Sequence, residues 1–216
     1  MLENFQYHQG QSFSTAGESL DKADAVMILV HGRGASAKSI LTLTDQLERD
    51  GFSYLAPQAT NATCYPNSFL APISDNEPWL SSALKVLEQT IKHTQNAGIP
   101  ANRTIFLGFS QGACLALEFI ARHPKRYGGV AALSGGLIGP PGMQFSYPGS
   151  LDNTPIFIGC SDIDPHIPME RVNETTIALR RLCAEVTEQI YPGMGHIVNQ
   201  DEIVHILELM DKIAIE

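Results

Sequence analysis

Basic residues are scarce in this chain. Lys and Arg number 14 against 23 Asp and Glu, a formal net charge of −9. No basic stripe is present that could neutralise a phosphate backbone or hold the chain on an anionic bilayer, which argues against nucleic acid and stable membrane association. Long apolar runs are also missing. The longest strongly apolar stretch, Ala25 to Val30, is too short to span a bilayer. The start, Met1-Leu2-Glu3-Asn4, has neither the basic residues nor the apolar core of a signal peptide, and the expectation is a cytoplasmic protein. Cysteine is sparse and unpatterned: Cys64, Cys114, Cys160 and Cys183 show no C-x-x-C or other metal spacing, so they read as reduced structural thiols. Repeats and low-complexity tracts are absent, and 216 residues suffice for one well-buried core, so one domain over 1–216 is expected.

What is present is an alternation of short apolar runs and helical patterns. Ala25 to Val30 is continuously apolar, as a strand buried on both faces must be, and it ends in a Gly-rich loop, His31-Gly32-Arg33-Gly34. A helix is expected from a cap at Ser36 or Ser39 to about Asp50, then a strand over Phe52 to Pro57. Further helices are predicted over Trp79 to about Ala97, after Ser110 to about His123, over Pro168 to Ala184, and from about Gln200 to Ile213. Strands are predicted over Thr104 to Leu107, Gly129 to Ser134, Pro155 to Gly159 and Val186 to Tyr191, with a weak one at Phe5 to His8. Strands alternating with helices predict an α/β protein with a mostly parallel sheet covered on both faces. Two long loops, 58–78 and 135–149, carry apolar residues in place of the polar ones a solvated linker would have, and they are expected to wall a pocket.

The chain turns on Gly108-Phe109-Ser110-Gln111-Gly112. A β-prone run enters it and a small-residue helical run leaves it, the G-x-S-x-G pattern of a nucleophile elbow, in which a serine is held on a strained strand-to-helix turn. Ser110, Asp162 or Asp164, and His196 follow the ends of successive strands, giving the order Ser, Asp, His. A serine hydroxyl needs an imidazole to take its proton, and the imidazole needs a carboxylate to fix its tautomer. His196 lies on a Gly-flanked loop after the last strand, whereas His93, His123 and His205 fall within or at the ends of helices. Asp164, stiffened by Pro165, is preferred over Asp162. A tetrahedral intermediate would find backbone N–H donors at Gln111 and, from the glycine loop, at Arg33. The Arg33 side chain reads either as a substrate anchor or, preferably, as a surface arginine paired with Asp or Glu.

Four stretches together resemble the phospholipase/carboxylesterase group of small α/β-hydrolases, which includes acyl-protein thioesterases and lysophospholipases. They are Leu29-Val30-His31-Gly32-Arg33-Gly34, the elbow, Asp164-Pro165-His166-Ile167-Pro168, and Tyr191-Pro192-Gly193-Met194-Gly195-His196. The resemblance implies an α/β-hydrolase fold without a cap domain, Ser110, Asp164 and His196 as a catalytic triad, and Arg33 and Gln111 as oxyanion donors. It also allows a homodimer, although no heptad or surface stripe in the sequence shows one.

The expected chemistry is cleavage of carboxylic esters, with thioesters or lysophospholipids as further acyl donors, through an acyl-Ser110 intermediate and with no cofactor. The partner is a small-molecule acyl ester, with Tyr65, Phe69, Leu70, Leu137 and Ile138 as candidate pocket residues. Other readings are an acyl-transfer or lactone-opening enzyme, and a ligand-binding protein that kept the fold without turnover.

Overall fold

A computed structural model describes residues 7–215. Seven strands form one sheet in the order β1-β3-β2-β4-β5-β6-β7: β1 (Phe13–Gly17), β2 (Ala25–Val30), β3 (Phe52–Pro57), β4 (Thr104–Phe109), β5 (Gly129–Leu133), β6 (Pro155–Ser161) and β7 (Glu185–Tyr191). All neighbours pair in parallel except β1, which runs antiparallel to β3 with Phe13 opposite Pro57.

Every residue of β2 is buried because helices cover both faces of the sheet. Side chains alternate between the faces at the strand period of two. Val26, Ile28 and Val30 of β2 pack with Phe106, Val130 and Ile158 under α3 (Trp79–Asn96), α4 (Gln111–Arg122) and α5 (Met169–Arg181). Met27 and Leu29 pack with Ile105, Leu107 and Leu133 under α1 (Ala37–Ile40) and α6 (Gln200–Ile215). The fold is the expected mostly parallel α/β architecture, and no helix of the described residues is long and apolar enough to cross a membrane.

Several expectations need correction. The helix expected to reach Asp50 stops at Ile40 and continues only as a 3₁₀ segment over Leu41–Gln46. Its Ser36–Ser39 capping box is present, but Thr42 and Thr44 bond back to nearby carbonyls, a competition that disfavours a longer α-helix. Of the weak strand at Phe5 to His8, Phe5 and Gln6 lie outside the described residues, and Tyr7 and His8 form a turn. The first strand instead lies at Phe13–Gly17, at the sheet edge. The loop 58–78 contains a 3₁₀ turn and a one-turn helix, α2 (Ile73–Asn76).

Candidate active site

Ser110 stands between β4 and α4 with φ 55° and ψ −120°, a strained conformation for any residue with a side chain. Sequence and packing together hold it there. A Cβ on Gly108 would come within 2.5 Å of Ala113 N, and one on Gly112 would overlap the Val30 carbonyl. Only glycine at both positions lets the helix pass this close to the strands. Ser110 N–H donates to Leu133 O at 2.9 Å, and Cys114 N–H donates to Ser110 O at 3.0 Å.

Three loops at the carboxyl ends of β4, β6 and β7 bring the candidate side chains together. His196 Nε2 lies 2.9 Å from Ser110 Oγ, and His196 Nδ1 lies 2.7 Å from Asp164 Oδ2. The Asp164 side chain is fully buried, and its other oxygen accepts from the N–H groups of His166 (2.8 Å) and Ile167 (3.1 Å). Burial alone would raise its pKa, but the bonds from His196, His166 and Ile167 outweigh it and hold the carboxyl below its ordinary value. The aspartate is thus an acceptor for a ring N–H at Nδ1, which leaves Nε2 free to accept from the serine. The His196 ring packs against Phe109 at 5.0 Å between centroids and edge-on against His166 at 4.9 Å.

Asp162, the competing carboxylate, accepts from Gly193 N–H at 2.8 Å. With Ser161 Oγ, which accepts from Gly195 N–H at 3.0 Å, it braces the loop that carries His196. The three histidines of the helices pack on other rings: His205 stacks on Phe157 and His93 on Phe13, while His123 packs on Phe119.

The backbone N–H groups of Arg33 and Gln111 donate to no other backbone group among the described residues. Gln111 opens α4, where the helix dipole favours negative charge. Arg33 follows β2 on a loop whose close approach is possible because Gly32 sits against Phe109 O and the Ser110 side chain. An open cleft of about 480 Å³ is lined by Ser110, His196, Arg33, Gln111, Tyr65 and Phe69, and by His166 and Ile167 on its far wall. Of the expected pocket residues, Tyr65 and Phe69 line this cleft. Leu70, Leu137 and Ile138 do not, and the last two are fully buried in the core. The physical reason lies in the 135–149 loop, which is pulled inward by two buried charges. Arg171 donates to Leu137 O and Gly139 O, and Glu118 accepts from Ile138 N–H and Tyr147 O–H.

The wall over residues 59–69 has little secondary structure of its own and is held by side chains from neighbouring elements. Gln111 donates to Tyr65 O (2.9 Å) and accepts from Cys64 N–H (2.8 Å). His31 Nε2 accepts from Ala59 N–H at 3.0 Å and His8 Nδ1 from Thr60 N–H at 3.1 Å. Both histidines are buried, which pushes their pKa values down and keeps them neutral acceptors. Arg33 donates to Pro66 O at 2.7 Å and Asn67 O at 2.6 Å. The expected pairing of Arg33 with Asp or Glu is therefore replaced by bonds to neutral carbonyls. Backbone acceptors leave no trace in a sequence, so these anchors could not be read there. The apolar wall residues were the available signal. Among the described residues no group of three or more His, Cys, Asp or Glu is arranged to hold a metal ion.

A family model described as phospholipase/carboxylesterase matches residues 15–214. Acyl-protein thioesterase 1 of Saccharomyces cerevisiae is 32% identical over 142 residues, covering 64% of this chain and 61% of that protein. The protein of the same name from Debaryomyces hansenii is 27% identical over 88% of this chain and 92% of its own length. The crystal structure of a phospholipase/carboxylesterase from Dyadobacter fermentans superposes with a TM-score of 0.90 at 39% identity, covering 94% of this chain and 98% of that one. The chain belongs to the phospholipase/carboxylesterase family of α/β-hydrolases.

Proposed function

We propose that this protein hydrolyses carboxylic esters and thioesters through an acyl-Ser110 intermediate, with Ser110, His196 and Asp164 as its triad. The observation that carries the reading is the unbroken chain of contacts from Ser110 Oγ to His196 Nε2 at 2.9 Å and from His196 Nδ1 to Asp164 Oδ2 at 2.7 Å. Ser110 Oγ attacks the acyl carbon as its proton passes to His196 Nε2, and Asp164 stabilises the imidazolium that forms. The oxyanion is received by the N–H groups of Arg33 and Gln111, each worth ~3 kcal/mol of barrier. Collapse breaks the acyl–oxygen or acyl–sulfur bond, and His196 returns the proton to the leaving group. His196 then takes a proton from water as the hydroxide adds to the acyl carbon, and collapse breaks the bond to Ser110 Oγ, which takes that proton back from His196 as the acid leaves. Thioesters are included because the yeast relatives carry the name acyl-protein thioesterase 1. Tyr65 and Phe69 face the acyl group in the cleft.

A serine-directed fluorophosphonate tests the reading. The wild-type protein takes one label and Ser110→Ala takes none, with ester turnover lost in parallel. A wild-type protein that binds small esters yet resists the label would make it a ligand-binding protein instead.

A further inference from the structure

Among the described residues, the side chain of Arg33 is a charge without a counter-ion at the mouth of the cleft. Other arginines find carboxylates: Arg49 meets Asp211 at 3.3 Å, Arg122 meets Glu118 at 2.6 Å and Arg171 meets Glu174 at 2.9 Å. Arg33 is exposed and, among the described residues, its side chain hydrogen-bonds only to the carbonyls of Pro66 and Asn67, with its guanidinium 6.0 Å from the centre of the Tyr65 ring. Carbonyls orient a guanidinium without cancelling its charge. They occupy two of its five N–H donors and leave three. Not one of the residues lining the cleft is Asp or Glu, although the chain as a whole carries −9. The carboxylate of the site, Asp164, has a fully buried side chain and is committed to three donors. His166, Asn67 and Ser68 add further polar groups to the same cleft.

We infer that the cleft selects esters bearing an anionic group, a carboxylate or a phosphate, which Arg33 binds while Ser110 attacks the acyl carbon. The inference rests on the esterase reading above. Pinning by two carbonyls fixes the guanidinium before the substrate arrives, so little side-chain entropy is lost on binding. Arg33 then serves twice, with its N–H at the reacting oxygen and its side chain at the substrate's charge.

Two matched ester pairs test this. 4-Nitrophenyl hydrogen adipate against 4-nitrophenyl hexanoate places the charge on the acyl side, and 4-carboxyphenyl hexanoate against its methyl ester places it on the leaving group. In at least one pair the anionic member is preferred about tenfold or more in kcat/KM, carried by KM, as a charge-assisted hydrogen bond would give. That ratio falls toward one in about 0.5 M NaCl, where the charges are screened. Arg33→Met collapses the ratio whatever happens to the neutral rate, and Arg33→Lys retains part of it. Neutral esters equal to or better than anionic ones in both pairs would overturn the inference, as would a ratio unmoved by salt and by Arg33→Met. Failure of all four esters above the Ser110→Ala background would instead overturn the esterase reading.

Discussion

Gly112 packs its backbone directly onto the carbonyl of Val30, so that the start of α4 touches the end of β2 with no side chain between them. The contact joins the turn carrying Ser110 to the loop carrying Arg33. Gly112→Ala must push the two apart or fail to fold, and overpacking against backbone costs about 3 kcal/mol or more. The expected result is a marked drop in the thermal midpoint, with loss of ester turnover in whatever folded protein remains. A midpoint and rate equal to wild type would refute the contact.

The two aspartates of the β6 loop should separate cleanly. Asp164→Asn keeps an acceptor for the N–H groups of His166 and Ile167 but favours the wrong tautomer of His196, so kcat should fall roughly 10³–10⁴-fold with little change in stability. Asp162→Asn retains an oxygen for Gly193 N–H and should lose less than about tenfold. Steady-state kinetics on one neutral ester decides the assignment, and equal losses would mean that Asp162 does more than brace the loop.

His31 and His8 make stability fall in mild acid. Burial lowers both pKa values below 6.5 in the folded state, so between 6.5 and those lowered values the unfolded chain binds more protons. Their contribution is complete above pH 6.5 and declines as pH drops through that range, by at most about 1.4 kcal/mol per pH unit for each histidine. Urea midpoints from pH 7.5 to 5 should show the decline, and His31→Gln should make it shallower.

Glu202 acts in the opposite sense. Its buried side chain sits at the first turn of α6, accepting from Asn199 N–H at 3.0 Å through one oxygen while the other has no hydrogen-bond partner among the described residues. Burial raises its pKa from 4.5 to about 7. The folded state therefore holds a proton that the unfolded state has lost, and stability from this group is present below pH 4.5 and lost as pH rises toward 7. Glu202→Gln should raise the thermal midpoint at pH 8 relative to wild type and narrow that gain at pH 5. A gain independent of pH would contradict the assignment.

The strands of the sheet centre were legible because burial on both faces demands continuous apolar runs, as in Ala25 to Val30. The site residues were legible because each follows a strand: Arg33, Ser110 and Asp164 come after continuous apolar runs, and His196 comes on a Gly-flanked loop after the half-exposed β7. The edge strand Phe13–Gly17 carries no such signal, because it is half exposed and exists through pairing with the distant β3. Leu137 and Ile138 looked like pocket residues because apolar loop residues cover something. What they cover is the core, and that outcome depends on Arg171 and Glu118, whose partners are backbone atoms and a distant tyrosine.

The wall over residues 59–69 takes most of its side-chain hydrogen bonds from His8, His31, Arg33, Gln111 and Asn76, which lie outside it. A segment exchanged into this place has to reproduce the carbonyls and N–H groups that meet those five side chains, and also the apolar contacts that bury Cys64, Tyr65 and Phe69 in the core with Val26, Ile28 and Val30. Redesign of the cleft is therefore best begun at the exposed side chains of Pro66, Asn67 and Ser68, which line it without entering the core, while the five anchors and the three buried residues are left in place.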